Sequence, residues 1–213
     1  MEESIFSLVI SLKLSAEKGM PRDGDWNSLA QAMANSLEPI SSRLIHLKIF
    51  VSLRFDSDLI LWLSTRDSGA IPEAKRLLLA TGKIERFEHH FLSFYEDSPY
   101  TKGGESLDQI LQKRALKYIV AYPMTKANDW YLLPYDVRKR IMAEHIGMAV
   151  SHKENKGIRS YTTYSFGISD QEFVVIYEMD NLSAWSHVTA KLREAEARKW
   201  IELETPVLVG IRI

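Results

Sequence analysis

The chain of 213 residues carries 27 Lys and Arg against 28 Asp and Glu, so its formal net charge is −1 at pH 7. Because both signs are interspersed, the strongly basic surface expected of a nucleic-acid-binding protein is excluded. With 46% hydrophobic residues the chain can bury a sizeable core, and its lack of cysteine excludes disulfides, zinc ribbons, thiolate-bound iron and cysteine nucleophiles.

The N-terminus does not resemble a targeting signal. Met1-Glu2-Glu3 is acidic, whereas a signal peptide begins with a positively charged region. No apolar run approaches the roughly 20 residues that a membrane-spanning helix requires. We therefore expect a cytoplasmic protein without a membrane span.

The first half of the chain alternates strand-like and helix-like segments. Its predicted elements are a strand over Ile5–Leu14, a helix from about Trp26 to Leu37, a hairpin with strands at Leu47–Leu53 and Asp58–Leu63, and a helix over about Pro72–Ala80. The following segment, from about Glu85 to Leu111, contains the turn signals Asp97-Ser98-Pro99 and Gly103-Gly104. We interpret it as a connection between the halves that could cover a pocket mouth.

The second half repeats the same order. Its predicted elements are a strand over Leu116–Tyr122, a helix from about Pro134 to His145, a hairpin with strands at Tyr161–Phe166 and Glu172–Tyr177, a helix over about Ser183–Arg198, and a final strand over Val207–Ile213. Each half therefore has the β-α-β-β-α-β order of a ferredoxin-like fold.

Two such halves in one chain can cover each other's sheets. We predict an α+β fold of two fused ferredoxin-like halves that pack sheet on sheet, as in a dimeric α/β barrel. The predicted divisions are residues 1–100 for the N-terminal half, 101–114 for a connecting loop, and 115–213 for the C-terminal half with the functional site.

The residues that could carry chemistry are concentrated after the midpoint. The sequence contains no phosphate-binding loop, dinucleotide-binding glycine motif, zinc-protease motif or nucleophile elbow. What remains is a cluster made of Tyr122-Pro123-Met124-Thr125-Lys126, Trp130-Tyr131 and His145. Taken singly, these side chains are more often packing aromatics, a solvated lysine and an ordinary helical histidine.

The histidine gains interest from the lack of cysteine, because histidine is then the natural ligand for an iron porphyrin. Such a ligand needs its other ring nitrogen held by a carboxylate or a carbonyl group. The sequence offers Glu144, Glu194 and Glu196 as partners of His145 and does not separate them.

The cluster resembles the chlorite dismutase family, which includes the coprohaem decarboxylases of haem biosynthesis. The motifs that carry the resemblance are Tyr122-Pro-Met-Thr-Lys126, Trp130-Tyr-Leu-Leu-Pro134, Arg138, His145, Tyr164-Ser-Phe-Gly167-Ile-Ser-Asp170-Gln-Glu172-Phe-Val-Val, Leu192-Arg193-Glu194, Pro206 and Gly210. They cover roughly the last 90 residues, and the ordered series is more specific than any single motif.

The resemblance implies a cofactor and a set of roles. The cofactor is haem or iron-coproporphyrin, with His145 as the proximal iron ligand. Lys126 and Trp130 match residues around the tetrapyrrole, and Arg193 matches an arginine that binds a propionate through its guanidinium fork. Tyr122 matches the tyrosine that decarboxylases use as a radical after peroxide has oxidised the iron centre. Family members usually form rings, so a homo-oligomer, commonly a pentamer, is expected.

The sequence departs from the family pattern in three places, and the first concerns the distal residue. Counting back from Gly167 places Ser160, with Arg159 adjacent, where chlorite dismutases carry an arginine and many decarboxylases a glutamine. The family's Gly-Arg after the ligand helix is replaced by Met148-Ala149-Val150 and a charged stretch over 151–156, and its Gly-Leu-Asp-Asp becomes Gly167-Ile-Ser-Asp170. Without a distal cation, a leaving hypochlorite would lose its electrostatic stabiliser.

The leading hypothesis is a haem-dependent, peroxidase-like oxidoreductase that decarboxylates iron-coproporphyrin to haem b with peroxide as co-substrate. Two alternatives stay open. One is a haem carrier or sensor, or a family scaffold without its cofactor. The other is chlorite dismutase, with Arg159 as the distal cation if the register shifts by one residue.

Overall fold

The computed structural model of the protein describes residues 4–18, 25–96 and 107–213. The N-terminal half contains β1 (Ile5–Leu14), α1 (Trp26–Ser36), β2 (His46–Ser52), β3 (Leu59–Thr65), α2 (Ala70–Ala80) and β4 (Ile84–Tyr95). A short helix, α3 (Leu107–Gln112), leads into the second half. The C-terminal half contains β5 (Tyr118–Lys126), α4 (Asn128–Leu132), α5 (Tyr135–Ser151), β6 (Arg159–Tyr164), β7 (Phe173–Met179), α6 (Leu182–Leu192), β8 (Ile201–Leu203) and β9 (Leu208–Ile211).

Each half has the strand order of a ferredoxin-like sheet. The order is β4-β1-β3-β2 in the N-terminal half and β6-β7-β5-β9 in the C-terminal half, and every pairing is antiparallel. In the first half, α1 and α2 pack on the outer face of the sheet through Leu29, Met33 and Leu78. The predicted α+β fold of two ferredoxin-like halves is confirmed.

The two sheets also join at their edges. β2 pairs with β9 at Val51–Ile211 and Ser52–Gly210, and β4 pairs with β6 at Phe94–Tyr164. Eight strands therefore close around one interior, while the short β8 adds to the end of β5. The two halves share this inner core, and each half also packs helices against the outer face of its own sheet.

Apolar side chains from both halves fill this interior. Buried members from the first half include Phe50 and Ile60, and those from the second include Ile119 and Ile176. Gly210 lies where the halves meet, and a Cβ atom there would stand 2.9 Å from Phe50 Cβ and 3.1 Å from Ile119 Cγ2. The close approach of the two sheets at this point therefore requires glycine.

A buried ion pair crosses the interior. Lys48 Nζ of β2 donates to Glu178 Oε2 of β7 at 2.9 Å, with side chains 5% and 0% exposed. Tyr161 Oη donates to the same carboxylate oxygen at 2.9 Å. Burial lowers the pKa of Lys48, although the Glu178 carboxylate opposes this effect. The pair links one half to the other, and removal of either partner would leave a buried charge uncompensated.

The largest difference from the sequence prediction is β4. The segment from Glu85 was predicted as a connection, but a twelve-residue strand occupies Ile84–Tyr95 and pairs with β1 along its length. Charged residues near its start, such as Arg86 and Glu88, weaken the alternation that would otherwise indicate a strand. The turn signals at residues 97–99 and 103–104 lie outside the described residues. The division at 101–114 and the covered pocket mouth stay predictions.

Two predicted helices have different bounds. The helix expected to end at His145 continues to Ser151, so the histidine lies inside α5 and not at its end. The helix expected over Ser183–Arg198 divides into α6 and a 3₁₀ helix over Glu196–Trp200. Among the described residues, no helix combines the length and apolar character needed to cross a membrane.

A buried histidine in the interior should make stability depend on pH. His46 is 9% exposed, and its Nε2 lies 2.9 Å from Ser64 Oγ. Burial, with a further effect of the Lys48 charge, lowers the pKa of His46 to about 3. An unfolded histidine titrates near 6.5, so below that pH the unfolded chain binds a proton that the folded chain does not. The free energy of unfolding should therefore fall by about 2 kcal/mol between pH 7 and pH 5 from this residue alone.

Urea unfolding of the wild type and of His46→Gln at pH 7 and pH 5 measures this contribution. The variant should show the smaller loss of stability on acidification. Equal losses in the two proteins would contradict the assignment.

Candidate functional site

The candidate site lies on the outer face of the C-terminal sheet, where α5 and α6 lie. Ile119 and Ala121 of β5 face the shared interior, so the alternation of a strand turns Val120 and Tyr122 outward. The β-ladder register places Tyr177 of β7 opposite both Val120 and Ser160 of β6. Tyr122, Tyr177 and Ser160 are therefore brought to one face.

The two tyrosines form a stacked pair. The ring centroids of Tyr122 and Tyr177 are 6.2 Å apart, with an interplanar angle of 25°. Burial raises the pKa of Tyr122 well above its ordinary value, and Tyr177 and the Glu204 carboxylate add to the rise. Burial also raises the pKa of Tyr177. Both phenols are therefore held protonated at neutral pH.

His145 lies on α5, where the charges of Lys126, Arg198 and Glu204 act on its ring. Its Nδ1 is buried and has no hydrogen-bond partner among the described residues. Burial lowers the pKa of His145, and the positive charges of Lys126 and Arg198 lower it further. The imidazole is therefore neutral at physiological pH, which is the form that ligates a metal.

Lys126 is a buried cation beside the histidine. The residue is 6% exposed, and its Nζ lies 3.4 Å from the centroid of the Trp130 ring and 3.9 Å from Met142 Sδ. Within the described parts of the chain, no carboxylate forms a salt bridge with this ammonium group. Burial lowers the pKa of Lys126 to about 8, with Glu172 opposing the shift and Arg138 adding to it.

The nearest carboxylate is occupied by other donors. Glu172 Oε2 accepts from the backbone N–H of Lys126 at 2.8 Å and from Tyr131 Oη at 2.5 Å. Arg138 on α5 also has a buried Nε without a hydrogen-bond partner among the described residues. The site therefore contains a buried ammonium group and a guanidinium group with hydrogen-bonding capacity to spare.

Glu204 is a member of the site that the sequence prediction missed. Its carboxylate accepts from Arg193 Nη1 at 2.9 Å and from Arg198 Nη2 at 2.7 Å, with a second contact to Arg198 Nη1. Burial alone would raise the pKa of Glu204, but the two arginines outweigh it and hold the pKa below the ordinary value. In the sequence, Glu204 stands shortly after the 196–200 segment and directly before Thr205-Pro206. No spacing rule marks a glutamate at that position as a site residue.

The three glutamates proposed as partners of His145 are engaged elsewhere. Glu144 accepts from the backbone N–H of Glu196, Glu196 pairs with Arg140, and Glu194 pairs with Lys191. The charges of Glu144 and Glu204 do act on the imidazole and favour its protonated form. None of the three predicted carboxylates is placed in a hydrogen bond with Nδ1.

The remaining predicted site residues differ in their placement. Trp130 is 2% exposed and packs against Trp200 with ring centroids 5.5 Å apart, so it forms a wall beside Lys126. Arg193 is half exposed and is held by Glu204. Ser160 lies on the tyrosine face, whereas Arg159 donates to the Arg114 carbonyl and lies 3.7 Å from Glu178. Arg159 therefore faces the end of the shared interior and is not brought to the site.

These residues fit an iron tetrapyrrole that carries carboxylates. The neutral imidazole of His145 would suit an iron ligand, and the cations of Lys126 and Arg138 would suit partners for propionate groups. Trp130 and Trp200, which pack against each other, would form an aromatic wall at this side of the site. Two cavities of about 760 and 430 Å³ lie elsewhere, beside α1 and beside α3, and neither is lined by these residues.

Comparison with known proteins agrees with this geometry. The sequence model of the chlorite dismutase family matches residues 26–213. A coprohaem decarboxylase of Mycolicibacterium smegmatis is 28% identical over 164 residues, which span 76% of this chain and 69% of that protein.

Solved structures show the same fold. A crystal structure provisionally assigned to chlorite dismutase, TA0507, is 46% identical with a TM-score of 0.87, covering 99% of this chain and 95% of that one. The structure of chlorite dismutase from Candidatus Nitrospira defluvii in complex with imidazole has a TM-score of 0.82 at 16% identity, covering 100% of this chain and 92% of that one. A haem-binding protein from Thermus thermophilus has a TM-score of 0.78 at 16% identity, covering 99% of this chain and 92% of that one. The chain belongs to the chlorite dismutase family.

Proposed function

We propose that the protein is a haem-dependent oxidoreductase that converts iron-coproporphyrin to haem b by peroxide-dependent oxidative decarboxylation. The observation that carries this proposal is the buried Lys126 ammonium, which lacks a carboxylate partner among the described residues and lies close to a neutral histidine. A buried cation needs an anionic partner, and a propionate of the substrate would provide one.

In this proposal His145 binds the iron, while Lys126 and Arg138 bind propionates. Peroxide reacting at the bound iron supplies the oxidising power. The chain itself positions the reacting propionate, because the Lys126 ammonium fixes a carboxylate beside β5, the strand that also carries Tyr122. Similarity to the coprohaem decarboxylase supports the same assignment.

Tyr122 is suited to hydrogen-atom chemistry. Its raised pKa keeps the phenol protonated, so oxidation removes a proton together with an electron and leaves a neutral phenoxyl radical. That radical can take a hydrogen atom from a propionate carbon, which regenerates the phenol. The propionate radical then gives one further electron to the second oxidising equivalent that peroxide supplies, which releases carbon dioxide and leaves a vinyl group.

Chlorite cleavage is less well supported. The serine at the distal position is uncharged, and the neighbouring Arg159 is directed to Glu178 and the Arg114 carbonyl instead. The described site therefore places no cation beside Ser160 for a departing hypochlorite.

Reconstitution with iron-coproporphyrin followed by peroxide tests the activity. The wild type should yield haem b through a singly decarboxylated intermediate, resolved by chromatography and mass spectrometry. Tyr122→Phe should retain the Soret band of the bound tetrapyrrole but lose at least about 100-fold in turnover, the usual range for loss of a proton-transfer group. His145→Ala should lose the histidine-ligated Soret band itself.

Tyr118→Phe is the matched control, since Tyr118 lies on the same strand and face four residues earlier. It should behave as the wild type. Unchanged turnover in Tyr122→Phe would overturn the radical role, and absence of tetrapyrrole binding in the wild type would overturn the function.

Replacement of Lys126 should affect the stability of the tetrapyrrole-free protein and its affinity for iron-coproporphyrin in opposite directions. Lys126→Met removes a buried charge without a salt-bridge partner, so the tetrapyrrole-free protein should gain about 1 kcal/mol in its free energy of unfolding. The same variant should bind iron-coproporphyrin at least about tenfold more weakly, because a propionate loses its ammonium partner. Urea unfolding and Soret titration measure the two effects. Lys117→Met replaces an exposed lysine before β5 and should change neither the stability nor the affinity. A Lys126→Met protein that is less stable than the wild type yet binds iron-coproporphyrin normally would contradict the propionate-binding role of Lys126.

The predicted ring assembly is part of the same proposal. Several apolar side chains on the surface are exposed, among them Phe55 at 100%, Leu132 at 81% and Val150 at 72%. Single exposed residues of this kind are also normal on monomers, so the assembly is proposed from the family resemblance. Light scattering on the eluting protein should give the mass of a homo-oligomer, a pentamer if the family's common form applies. A monomer at all concentrations would contradict the assembly.

A further inference from the structure

Three aromatic side chains form a continuous line from the site toward the surface. Tyr122 and Tyr177 are stacked at 6.2 Å, and the Tyr177 ring lies 4.1 Å from the ring of Trp185 on α6. All three belong to the cluster on the outer face of the C-terminal sheet. Trp185, on the helix that covers the sheet, is largely buried and keeps 9% of its surface accessible to solvent.

The hydroxyl-bearing side chains along this line are neighbours as well. Tyr122 is stacked on Tyr177, and the ladder register places Ser160 of β6 directly opposite Tyr177 on the same face. Ser160 is exposed. A hydroxyl group in contact with solvent therefore lies beside Tyr177, where a proton can be taken up or supplied.

Packing alone does not require this chemistry. A phenylalanine at position 177 would fill nearly the same volume, and it would avoid the burial of a hydroxyl group. Tyrosine and tryptophan are the side chains that proteins oxidise by one electron, and contact between their rings permits rapid electron exchange. The line begins at the tyrosine that the proposed function makes the radical site.

We propose that Tyr122, Tyr177 and Trp185 form one electron-transfer path, which carries an oxidising equivalent from the tetrapyrrole pocket to the surface at α6. The path rests on the proposed function for its source of oxidant, which is peroxide. It gives the protein a second outlet, the one-electron oxidation of a small phenolic donor at the edge of Trp185, when no propionate is in place to react.

Each step balances. A hydrogen atom passes from the Tyr177 hydroxyl to the Tyr122 phenoxyl, which regenerates the Tyr122 phenol and leaves a radical on Tyr177. An electron then passes from Trp185 to Tyr177, while a proton reaches the Tyr177 oxygen through Ser160 and the indole Nε1 releases one to solvent. A phenolic donor finally gives a hydrogen atom to Trp185 and becomes a phenoxyl radical. Two such turnovers use one peroxide and yield two waters.

Another aromatic line lies on the opposite face of the sheet. Trp62 and Tyr161 are in contact at 5.0 Å, but both point into the shared interior and are 0% and 5% exposed. They provide an internal comparison, because they have the same residue types without the connection to Tyr122 or to solvent.

The path can be tested in the tetrapyrrole-free protein. Azide radicals made by pulse radiolysis oxidise tryptophan in preference to tyrosine, and an electron path works in both directions. The tryptophanyl absorption of the wild type should decay in a concentration-independent phase as phenoxyl absorption rises. Trp185→Phe and Tyr177→Phe should each lose most of this phase, whereas Tyr118→Phe should keep it.

Far-ultraviolet circular dichroism shows whether each variant is folded, and Ser160→Ala gives a second test that leaves all the rings in place. That variant should slow the phase and reduce its deuterium isotope effect. A phase of wild-type size in both Trp185→Phe and Tyr177→Phe would overturn the path.

The reconstituted protein supplies a second readout. Peroxide-driven oxidation of a small phenolic donor should be several-fold slower in Trp185→Phe than in the wild type, and an unchanged rate would overturn the proposed outlet at Trp185. Because the radiolysis needs no cofactor, failure of coprohaem conversion with an intact transfer phase would reject the proposed function and retain the path. Normal coprohaem conversion by a protein that lacks the transfer phase would retain the proposed function and reject the path.

Discussion

The sharing of one interior by both halves is the constraint from which the position of the site follows. Closure of eight strands through the β2–β9 and β4–β6 edges commits the inner face of each sheet to the common core. Side chains that alternate with the core residues must then face outward. On β5 this alternation directs Ile119 and Ala121 inward and Tyr122 outward, so the location of the candidate radical site is a consequence of strand geometry.

Buried lysine side chains have different partners on the two faces of the C-terminal sheet. Inside, Lys48 is compensated by Glu178, whose carboxylate also accepts from Tyr161. Outside, the two arginines beside the site are neutralised by Glu204, but Lys126 keeps only an aromatic face and a thioether as close contacts. The contrast between the paired interior charge and this ammonium group, which has no carboxylate partner among the described residues, supports our proposal that an anion binds beside Lys126. The depressed pKa of His145 has the same origin, since burial and the neighbouring cations both favour the neutral imidazole.

Much of this arrangement follows from local patterns in the sequence. The alternation in Ile5–Leu14 predicts β1 to the residue, and the repeated order of elements predicts the two ferredoxin-like halves. The cluster from Tyr122 to His145 predicts which part of the chain forms the site. These features depend on short-range periodicity and on residues close together in the chain, which a single sequence displays directly.

The features that the sequence did not predict depend on long-range contacts. β4 carries charges on its exposed positions and is recognisable as a strand only through its pairing with β1. Glu204 reaches the site because the chain returns after the 3₁₀ helix. Arg159 is excluded from the site because its partner in the β6–β7 ladder is Glu178, whose side chain lies in the shared interior. A shift of one residue in the pairing of β6 with β7 would exchange positions 159 and 160 between the two faces of the sheet. The pairing with β7 places position 160 on the face of the site.

The most direct test of the account compares the affinities of the protein for iron-coproporphyrin and for its tetramethyl ester. The two compounds share the iron and the macrocycle and differ only in the charge of the carboxyl groups. If buried cations beside a neutral histidine define the site, the free acid should bind at least about tenfold more tightly than the ester in Soret titrations, since loss of a charge-assisted contact costs 1.4 kcal/mol or more. Equal affinities would show that the cations do not receive carboxylates and would contradict the account.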